Sequence, residues 1–342
     1  MHGEKIPMPE RSLPTFTIII PVRNGGNYLK QCVESILAQS YINFELVLLD
    51  NASNDTSVEY ISSLEQSQEK VKVFRSLEFL TIEKNWARIL SIPKKEFITI
   101  IGHDDILHPH FLSDIATLIN DFPEANLYSS HFNLIDSQGN TIRPCRPIPK
   151  FEAAHEYLAA RLCDLRDSFG TGFVMRSKDY DDVGGIPLFP NLLYADDCLW
   201  LKLIKDGVKI TSSNTSFSYR LHESSTSGKP NKLLLFNALI TYLEFLRVEA
   251  ANHNEIDQVI KRYSDKYISA RCKEYFFSLD PKQKEYGIEV AKIKSIMQIY
   301  NYSEKIEAWQ TARDSYNHAL KARINRMLKR IKNINLNNKK EN

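Results

Sequence analysis

Short apolar runs alternate with helical patterns over the first third of this 342-residue chain. The runs at 17–22, 44–49, 71–75 and 97–101 are rich in aliphatic and β-branched residues, which favour buried strands. Strands that alternate with helices imply parallel crossover connections, so the pattern predicts an α/β fold. In an open sheet of this kind, the carboxyl ends of the strands meet at one edge, and ligands bind there. We therefore expect the polar residues that follow each run to form one site.

The run at 97–101 ends in Gly102 and two adjacent carboxylates, Asp104 and Asp105, which come shortly after the glycine. Two neighbouring carboxylates repel each other, so a cation beside them lowers the cost of holding both. Mg²⁺ and Mn²⁺ prefer oxygen ligands and usually bridge to phosphates, so the pair predicts a divalent-metal and phosphate site. The alternative is that one of the two caps a helix over 109–121.

Length and charge suggest two main regions. The chain is long enough for about two domains. Residues 1–228 hold 22 Lys and Arg against 29 Asp and Glu, whereas residues 229–342 hold 22 against 13, so an acidic part precedes a basic one. We expect a polar tail at 1–14, an α/β domain at 15–228 and a helical region at 229–342.

The cysteines and the amino-terminal stretch bear on the compartment. Five scattered cysteines without a Cys-x-x-Cys pair predict neither a disulfide framework nor a zinc site, and they favour a reducing compartment. The apolar stretch at 16–22 is too short for a signal-peptide core or a membrane span. We therefore expect a cytoplasmic protein. Because the first region is acidic, nucleic acid is not expected as a partner.

Three motifs, in this order, resemble those of family 2 glycosyltransferases: TIIIPVRN at 17–24, LDNASND at 49–55 and GHDD at 102–105. The resemblance covers about 15–228 and implies a GT-A fold, a Rossmann-like mixed sheet flanked by helices. It also implies transfer of a sugar from a nucleotide-diphospho-sugar, with a UDP-sugar as the expected donor. The implied acceptor is a hydroxyl of a glycan or lipid-linked glycan, as in bacterial polysaccharide biosynthesis. A divalent metal, Mn²⁺ or Mg²⁺, is the implied cofactor.

By the same resemblance, seven residues would contact the nucleotide. Those expected to line or hydrogen-bond the base are Pro21, Arg23, Asn24, Asp50 and Asn51. Those expected at the phosphates or elsewhere on the nucleotide are Asn85 and Arg88. The family often has a second Asp at position 51 and a Tyr at position 23, so the identity of the base stays open.

The resemblance also implies a set of metal and diphosphate contacts. Asp104 and Asp105 would divide metal coordination and ribose contact between them, although Gly102 stands where many members carry a further Asp. Near the end of the catalytic domain, His222 would be the third protein ligand of the metal. Arg220 would neutralise the diphosphate.

An inverting transfer needs a carboxylate that takes the proton from the acceptor hydroxyl. In the family, an acidic pair opens a helix at this point of the chain, and its second member is the base. The resemblance therefore assigns Asp197 as the general base and Asp196 as its catalytic partner, in place of the usual Glu. Helix capping is the alternative role for Asp196.

Gly170 and Gly172 flank Thr171 ahead of an apolar run at 173–175. Glycines permit the backbone to approach a bound group closely, which predicts a ligand-facing loop. A bend in a strand is the alternative that the sequence leaves open.

The end of the chain is basic and amphipathic, with an apolar stripe over 320–331 and Lys or Arg around it. Such a helix can bind an anionic membrane surface, which would suit peripheral attachment to the inner face of the cytoplasmic membrane. An ordinary packed helix with a solvated basic face is the alternative. Helical patterns at 233–250, 257–277 and 281–299 precede it, and they can pack on the catalytic domain or form a homo-oligomer contact.

The alternative to an enzyme is a non-catalytic homologue that binds a nucleotide-sugar or a glycan. Binding alone would not require a base, so the presence of Asp197 together with Asp104 and Asp105 favours the enzyme. A dinucleotide-dependent dehydrogenase is disfavoured because no G-x-G-x-x-G motif follows a predicted strand.

Overall fold

The computed structural model describes residues 13–222, 231–300 and 305–315. The chain divides into two compact units, Met1–Ser264 and Asp265–Asn342. The first unit contains the sheet and the candidate site. The predicted boundary between residues 228 and 229 is not tested by this division and stays a prediction.

Ten strands of the described residues form one mixed sheet. They are β1 (Phe16–Val22), β2 (Phe44–Asp50), β3 (Val71–Arg75), β4 (Phe97–Ile100), β5 (Ile106–Leu107), β6 (Leu127–Ile135), β7 (Thr141–Pro144), β8 (Phe151–Glu152), β9 (Phe173–Arg176) and β10 (Lys209–Arg220). Their order is β3-β2-β1-β4-β9-β6-β10-β5, with β7 beside β6 and β8 beside β10. The first four are parallel, whereas β9 runs antiparallel to β4, so the sheet is mixed.

Helices are interspersed with the strands up to β10, and the described elements after β10 are all helices. Within the described residues they are α1 (Gly26–Leu37), α2 (Ser57–Ser67), α3 (Ile82–Ala87), α4 (Phe111–Asp121), α5 (Ala154–Leu162), α6 (Ser177–Asp182), α7 (Ala195–Ile204), α8 (Lys232–Asn252), α9 (Asn254–Ser278) and α10 (Tyr286–Ile299). Two short 3-10 turns lie at Arg88–Ser91 and Pro190–Leu192. The predicted alternation of strands and helices, the mixed sheet and the helical extension are confirmed.

The apolar pattern of the sequence explains the core around β1. All seven residues of β1 are buried, and β2 and β4 pair with its two edges. Helix α1 turns an apolar stripe toward the sheet, formed by Leu29, Cys32, Val33 and Ile36. Each large aliphatic side chain buried in this way contributes about 1.5–3 kcal/mol. The core therefore holds the carboxyl ends of the central strands rigidly.

These carboxyl ends lie side by side, as predicted. The Asn51 N–H donates to the Val22 carbonyl at 2.9 Å, and the Ile101 N–H donates to the Ile19 carbonyl at 3.0 Å. The loops that leave β1, β2 and β4 therefore begin next to one another.

Two predicted helices have different bounds in the structure. The residues at 151–166 have a pattern that predicts a helix throughout, but the stretch begins with β8, which pairs with β10. The cause is Glu152, whose buried carboxylate contacts Arg166 and Lys209, and α5 begins only at Ala154. The pattern at 81–92 also predicts a single helix, but α3 ends at Ala87 and the backbone tightens into a 3-10 turn.

The three helical patterns predicted after residue 228 correspond to α8, α9 and α10, and the backbone is helical again at 305–315. In the described part of the chain, no helix has both the length and the apolar character needed to cross a membrane. The predicted amphipathic segment at 320–331 lies outside the described residues.

Candidate active site

A cleft of about 810 Å³ opens at the carboxyl ends of β1, β2 and β4. Eight of the residues predicted from the sequence line it: Pro21, Arg23, Asn24, Asn51, Asn85, Asp104, Asp105 and His222. The other predicted residues are described by the structure but are not part of this lining: Asp50, Arg88, Asp196, Asp197 and Arg220. The fold thus brings together residues that are two hundred positions apart in the chain.

One end of the cleft is built from the turns that follow β1 and β2. Asn24 has a positive φ of 51°, and its side chain both donates to the Asn54 side chain at 2.8 Å and accepts from the Asn54 N–H at 2.9 Å. Arg23 donates to the Asn51 carbonyl at 3.1 Å, and its guanidinium lies over the Phe79 ring at 5.1 Å from the centroid. A planar cation and an aromatic ring are groups on which a nucleobase can stack.

Asn51 is buried, and the backbone of Leu80 uses its side-chain amide. Nδ2 donates to the Leu80 carbonyl at 2.9 Å, and Oδ1 accepts from the Leu80 N–H at 2.8 Å. Asn51 thereby fixes the segment that carries Phe79. The sequence did not predict that this segment lines the cleft. The only available signal was an aromatic residue, Phe79, shortly after a predicted strand.

Arg88 and Asp50 hold the ends of β2 and β3. The Arg88 guanidinium donates to the carbonyls of Asp50 and Phe74 at 3.1 and 2.7 Å, and to the Asn85 side chain at 2.8 Å. Burial lowers the pKa of Arg88, and the nearby Asp50 opposes that shift. The Asp50 carboxylate accepts from the Ser53 N–H at 3.3 Å. In this structure Arg88 therefore stabilises the end of the cleft that is built from the turns after β1 and β2.

The two carboxylates that follow β4 have different surroundings. Asp104 Oδ2 lies 2.7 Å from His222 Nε2, and both residues line the cleft. Asp105 is buried and accepts from the Thr171 hydroxyl at 2.6 Å and from the Arg220 N–H at 2.9 Å. Burial raises the pKa of Asp105 well above its ordinary value of 3.8, and the charge of Asp104 raises it further. Asp104 is thus the more available carboxylate.

Arg220 is only 1% exposed and reaches behind the Asp104 loop. Its guanidinium donates to the Asp104 carbonyl at 2.7 Å and to the Gln31 side chain at 2.9 Å. It also stacks on the Tyr28 ring at 4.7 Å. These contacts position the Asp104 backbone, and a direct diphosphate contact by Arg220 stays a prediction.

The space around Gly102 explains why position 102 holds a residue without a side chain. A Cβ atom at this position would lie 2.7 Å from Asp104 Oδ1 and 2.9 Å from Asp105 Oδ2. The Gly102 N–H also donates to the Thr171 hydroxyl at 3.0 Å. A larger side chain at position 102 would therefore displace the two carboxylates that follow.

Asp104 and His222 are the residues best placed to hold a divalent ion. Within 13–222, 231–300 and 305–315, no three His, Cys, Asp or Glu side chains gather as a metal site. One carboxylate and one imidazole nitrogen form a partial donor set, to which diphosphate oxygens could add. The residues present therefore fit a metal that binds together with a nucleotide.

The acidic pair at the start of α7 lies apart from the cleft lining. Both oxygens of Asp197 accept hydrogen bonds from Arg161, at 2.8 and 2.7 Å, and Oδ1 also accepts from the Tyr157 hydroxyl at 2.5 Å. Asp196 is partly exposed, and its Oδ1 accepts from the Asp197 N–H at 2.9 Å. No sequence signal pointed to Arg161 or Tyr157, because their proximity depends on the packing of α5 against α7.

The helical extension contributes to the cleft as well. Leu234, in the first turn of α8, lines it together with Trp86 and Pro190. Tyr242 of α8 stacks on Tyr194 with 5.1 Å between the ring centroids. Helix α8 therefore covers the segment that precedes the acidic pair.

Known proteins resemble this chain in sequence. The sequence profile of Glycosyl transferase family 2 matches residues 17–184. Glycosyltransferase GlyG of Streptococcus pneumoniae is 28% identical over 124 residues, which are 36% of this chain and 41% of that protein, so the match spans less than half of GlyG. A protein of Rickettsia typhi named as an uncharacterized glycosyltransferase is 24% identical over 85% of this chain and 97% of its own length.

Solved structures of low sequence identity have the same fold. Residues 1–349 of Staphylococcus aureus TarS, in complex with UDP-GlcNAc, superpose with a TM-score of 0.66 at 13% identity, covering 89% of this chain and 92% of that one. The mannosyltransferase PcManGT of Pyrobaculum calidifontis, in complex with GDP-Man and Mn²⁺, gives a TM-score of 0.53 at 12% identity, covering 87% and 86%. The fold is GT-A, and over residues 17–184 the chain matches glycosyl transferase family 2.

Proposed function

We propose that this protein is an inverting glycosyltransferase that moves a sugar from a nucleotide-diphospho-sugar to a hydroxyl of a glycan or lipid-linked glycan. The observation that carries the proposal is that one cleft is lined both by the turns after β1 and β2 and by the Asp104–His222 pair. A nucleotide needs a surface for its base and a cation for its diphosphate. One end of the cleft offers the surface, and Asp104 and His222 at the other end could hold the cation.

The donor would lie with its base at Arg23 and Phe79 and its diphosphate at Asp104 and His222. TarS, which has the same fold, was solved with UDP-GlcNAc and with UDP, and PcManGT was solved with GDP-Man. These ligands support a nucleotide-sugar donor for this chain, and a UDP-sugar remains our expectation. Pro21, Asn24 and Asn85 would complete the nucleotide contacts.

A divalent ion, Mn²⁺ or Mg²⁺, would be held by Asp104 and His222 together with the diphosphate. Mn²⁺ is favoured because imidazole nitrogen suits transition metals better than it suits Mg²⁺. The bound ion would supply positive charge where the leaving diphosphate becomes more negative. Asp105 would act mainly through Thr171, by keeping the Asp104 loop in place.

The remaining parts of the proposal concern the acceptor and the location. A carboxylate of the acidic pair, Asp196 or Asp197, would take the acceptor proton. The catalytic domain would span 15–228, and the segment 229–342 would provide an oligomer contact or, through its basic end, attachment to the inner face of the cytoplasmic membrane. Nucleic acid is not proposed as a partner.

Donor cleavage tests the proposal. The protein is incubated with UDP-, GDP-, CDP- and dTDP-sugars, with Mn²⁺ or with EDTA, and the released nucleoside diphosphate is measured. We expect release from one class of donor that depends on the metal. Asp206→Asn, which changes an exposed carboxylate outside the cleft lining, should behave as the wild type. Binding of a nucleotide-sugar without cleavage or transfer, over a panel of glycan acceptors, would favour the non-catalytic alternative.

A further inference from the structure

The chain has three tryptophans, and Trp86 is the one that is not buried. Trp200 is 1% exposed and stacks on Phe173 with 4.2 Å between the ring centroids, and Trp309 is 8% exposed. Trp86 is half-buried and lines the cleft. Within 13–222, 231–300 and 305–315, no aromatic ring or cation stacks on the Trp86 indole, and its N–H donates to no protein group. Part of the indole is therefore available to a bound molecule.

The place of Trp86 in the cleft follows from its neighbour Gly170. A Cβ atom at Gly170 would lie 3.7 Å from Trp86 Cη2, so the glycine backbone runs beside the edge of the indole. The next residue, Thr171, donates to Asp105 at 2.6 Å and accepts from the Gly102 N–H at 3.0 Å. The indole therefore lies next to the segment that is bonded to the end of β4, where the diphosphate is proposed to bind.

A sugar must lie near that diphosphate. In a nucleotide-diphospho-sugar, the sugar ring is joined directly to the outer phosphate, and the acceptor hydroxyl has to approach the same anomeric carbon. Ligand sites commonly combine an aromatic surface with a few placed polar groups. The wall of the cleft beside Gly170 is thus where a sugar ring is required, and Trp86 supplies an aromatic surface there.

Polar groups accompany the indole. Glu83 precedes Trp86 by three residues on α3, and side chains at this spacing are neighbours on a helix. Glu83 Oε1 accepts from the Asn191 N–H at 2.6 Å, and both residues line the cleft. A pyranose ring offers C–H groups that suit the negative face of an aromatic ring, and a rim of hydroxyls that suits carboxylate and amide groups. The three side chains therefore match the chemistry of a sugar ring.

We propose that Trp86 is a specificity-determining residue on whose indole a pyranose ring of the substrate lies, with Glu83 and Asn191 beside the hydroxyls of that ring. This inference rests on the proposed glycosyl transfer and adds the residues that hold the sugar. The sugar of the donor and the sugar of the acceptor both present C–H groups, so the experiment distinguishes between these two sources.

The first measurement is calorimetry with Mn²⁺ on the wild type, Trp86→Leu and Trp86→Phe. Each UDP-, GDP-, CDP- and dTDP-sugar is compared with its own nucleoside diphosphate. If the donor sugar lies on the indole, Trp86→Leu should raise the Kd of the nucleotide-sugar roughly 2- to 12-fold and leave the Kd of the nucleoside diphosphate unchanged. Trp86→Phe keeps an aromatic face and should restore most of the affinity. Lys84→Ala changes an exposed residue of α3 outside the cleft lining and should bind as the wild type does.

The second measurement is tryptophan fluorescence, which does not depend on turnover. Trp200 and Trp309 are buried, so a ligand on Trp86 should change an emission that Trp86→Phe lacks. A change with a nucleotide-sugar that its nucleoside diphosphate does not produce identifies the donor sugar. A change with methyl hexosides or methyl N-acetylhexosaminides, added to protein saturated with nucleoside diphosphate and Mn²⁺, identifies the acceptor. In that case the Kd of the nucleotide-sugar should be the same in all variants.

The contrary result is that neither nucleotide-sugars nor methyl glycosides change the Trp86 emission and that Trp86→Leu binds every nucleotide-sugar as tightly as the wild type. No sugar then lies on the indole. The fluorescence of the wild type gives this answer even if thermal unfolding shows that Trp86→Leu is not folded. A wild type that neither binds nor cleaves any donor would overturn the proposed function as well, whereas a wild type that cleaves a donor without these effects would overturn this inference alone.

Discussion

The side-chain amide of Asn51 forms two hydrogen bonds with the backbone of Leu80, one as donor at 2.9 Å and one as acceptor at 2.8 Å. These bonds attach the segment after β3 to the end of β2. Phe79, next to Leu80, is thereby held beneath the Arg23 guanidinium. A residue that the sequence suggested as a reader of the base therefore shapes the surface on which a base can stack.

Asn51→Ala should destabilise the protein. The change leaves the Leu80 N–H and carbonyl without their partners at a partly buried position, and a backbone group left unsatisfied in the interior costs about 1–3 kcal/mol. We expect the free energy of unfolding, from denaturant titration, to fall by at least ~1 kcal/mol. Asn252→Ala removes a side-chain bond to the Val248 carbonyl on an exposed helix end and should change it little. Equal effects of the two substitutions would argue against a special role for Asn51.

Phe79→Ala should weaken nucleotide binding without unfolding the protein. Phe79 is 65% exposed, so its removal costs little stability. Stacking of a base on an aromatic ring is worth about 1–3 kcal/mol, which corresponds to roughly a 5- to 150-fold increase in Kd. Leu77→Ala is the matched control, because Leu77 lies in the same segment, is fully exposed and does not line the cleft. If both variants bind nucleotide as the wild type does, the base does not stack here.

Gly102→Ala should disturb the metal end of the cleft. The added Cβ would lie 2.7 Å from Asp104 Oδ1 and 2.9 Å from Asp105 Oδ2, and Thr171 restrains Asp105. Overpacking of this kind costs about 1–3 kcal/mol, and we expect Mn²⁺-dependent nucleotide binding to weaken with it. Gly287→Ala is the control, since nothing lies within 4 Å of the added atom. Unchanged Mn²⁺-dependent binding in Gly102→Ala would contradict the packing argument.

Asp196→Asn should change the pH dependence of stability. Burial and Asp197 raise the pKa of Asp196 from 3.8 to about 7 in the folded protein. A carboxyl with a higher pKa when folded stabilises the fold below its unfolded pKa, and this contribution is lost as the pH rises to the folded value. Asn cannot ionise, so the variant should unfold at a higher temperature than the wild type at pH 8 and at a similar temperature at pH 4. A difference that is independent of pH would contradict the raised pKa.

The fold and the position of the cleft could be predicted from the sequence because both follow from local patterns. The apolar runs at 17–22, 44–49 and 97–101 are strands, and the polar residues that follow them meet at one edge. The Gly-Thr-Gly segment was left open between a ligand loop and a bend. In the structure Thr171 lines the cleft and donates to Asp105, while Gly172 has a positive φ of 85° beside Phe217.

What the sequence could not give is the partner of each side chain. Arg88 was expected at the phosphates or elsewhere on the nucleotide, and Arg220 at the diphosphate; both contacts stay predictions. The structure adds that both side chains donate to backbone carbonyls, which lie within reach only after the strands have assembled. The pairing of Asp197 with Arg161 likewise depends on how α5 packs against α7. Such contacts join elements that are distant in sequence, and no spacing rule anticipates them.

The most direct test of the account is calorimetric titration of the protein with UDP, GDP, CDP and dTDP, with Mn²⁺ and with EDTA, repeated on Asp104→Ala. We expect one nucleoside diphosphate to bind in the presence of Mn²⁺, and we expect EDTA or the substitution to abolish or strongly weaken that binding. Binding that is indifferent to both, or no binding of any nucleotide with Mn²⁺ present, would contradict a metal-assisted donor site at Asp104 and His222.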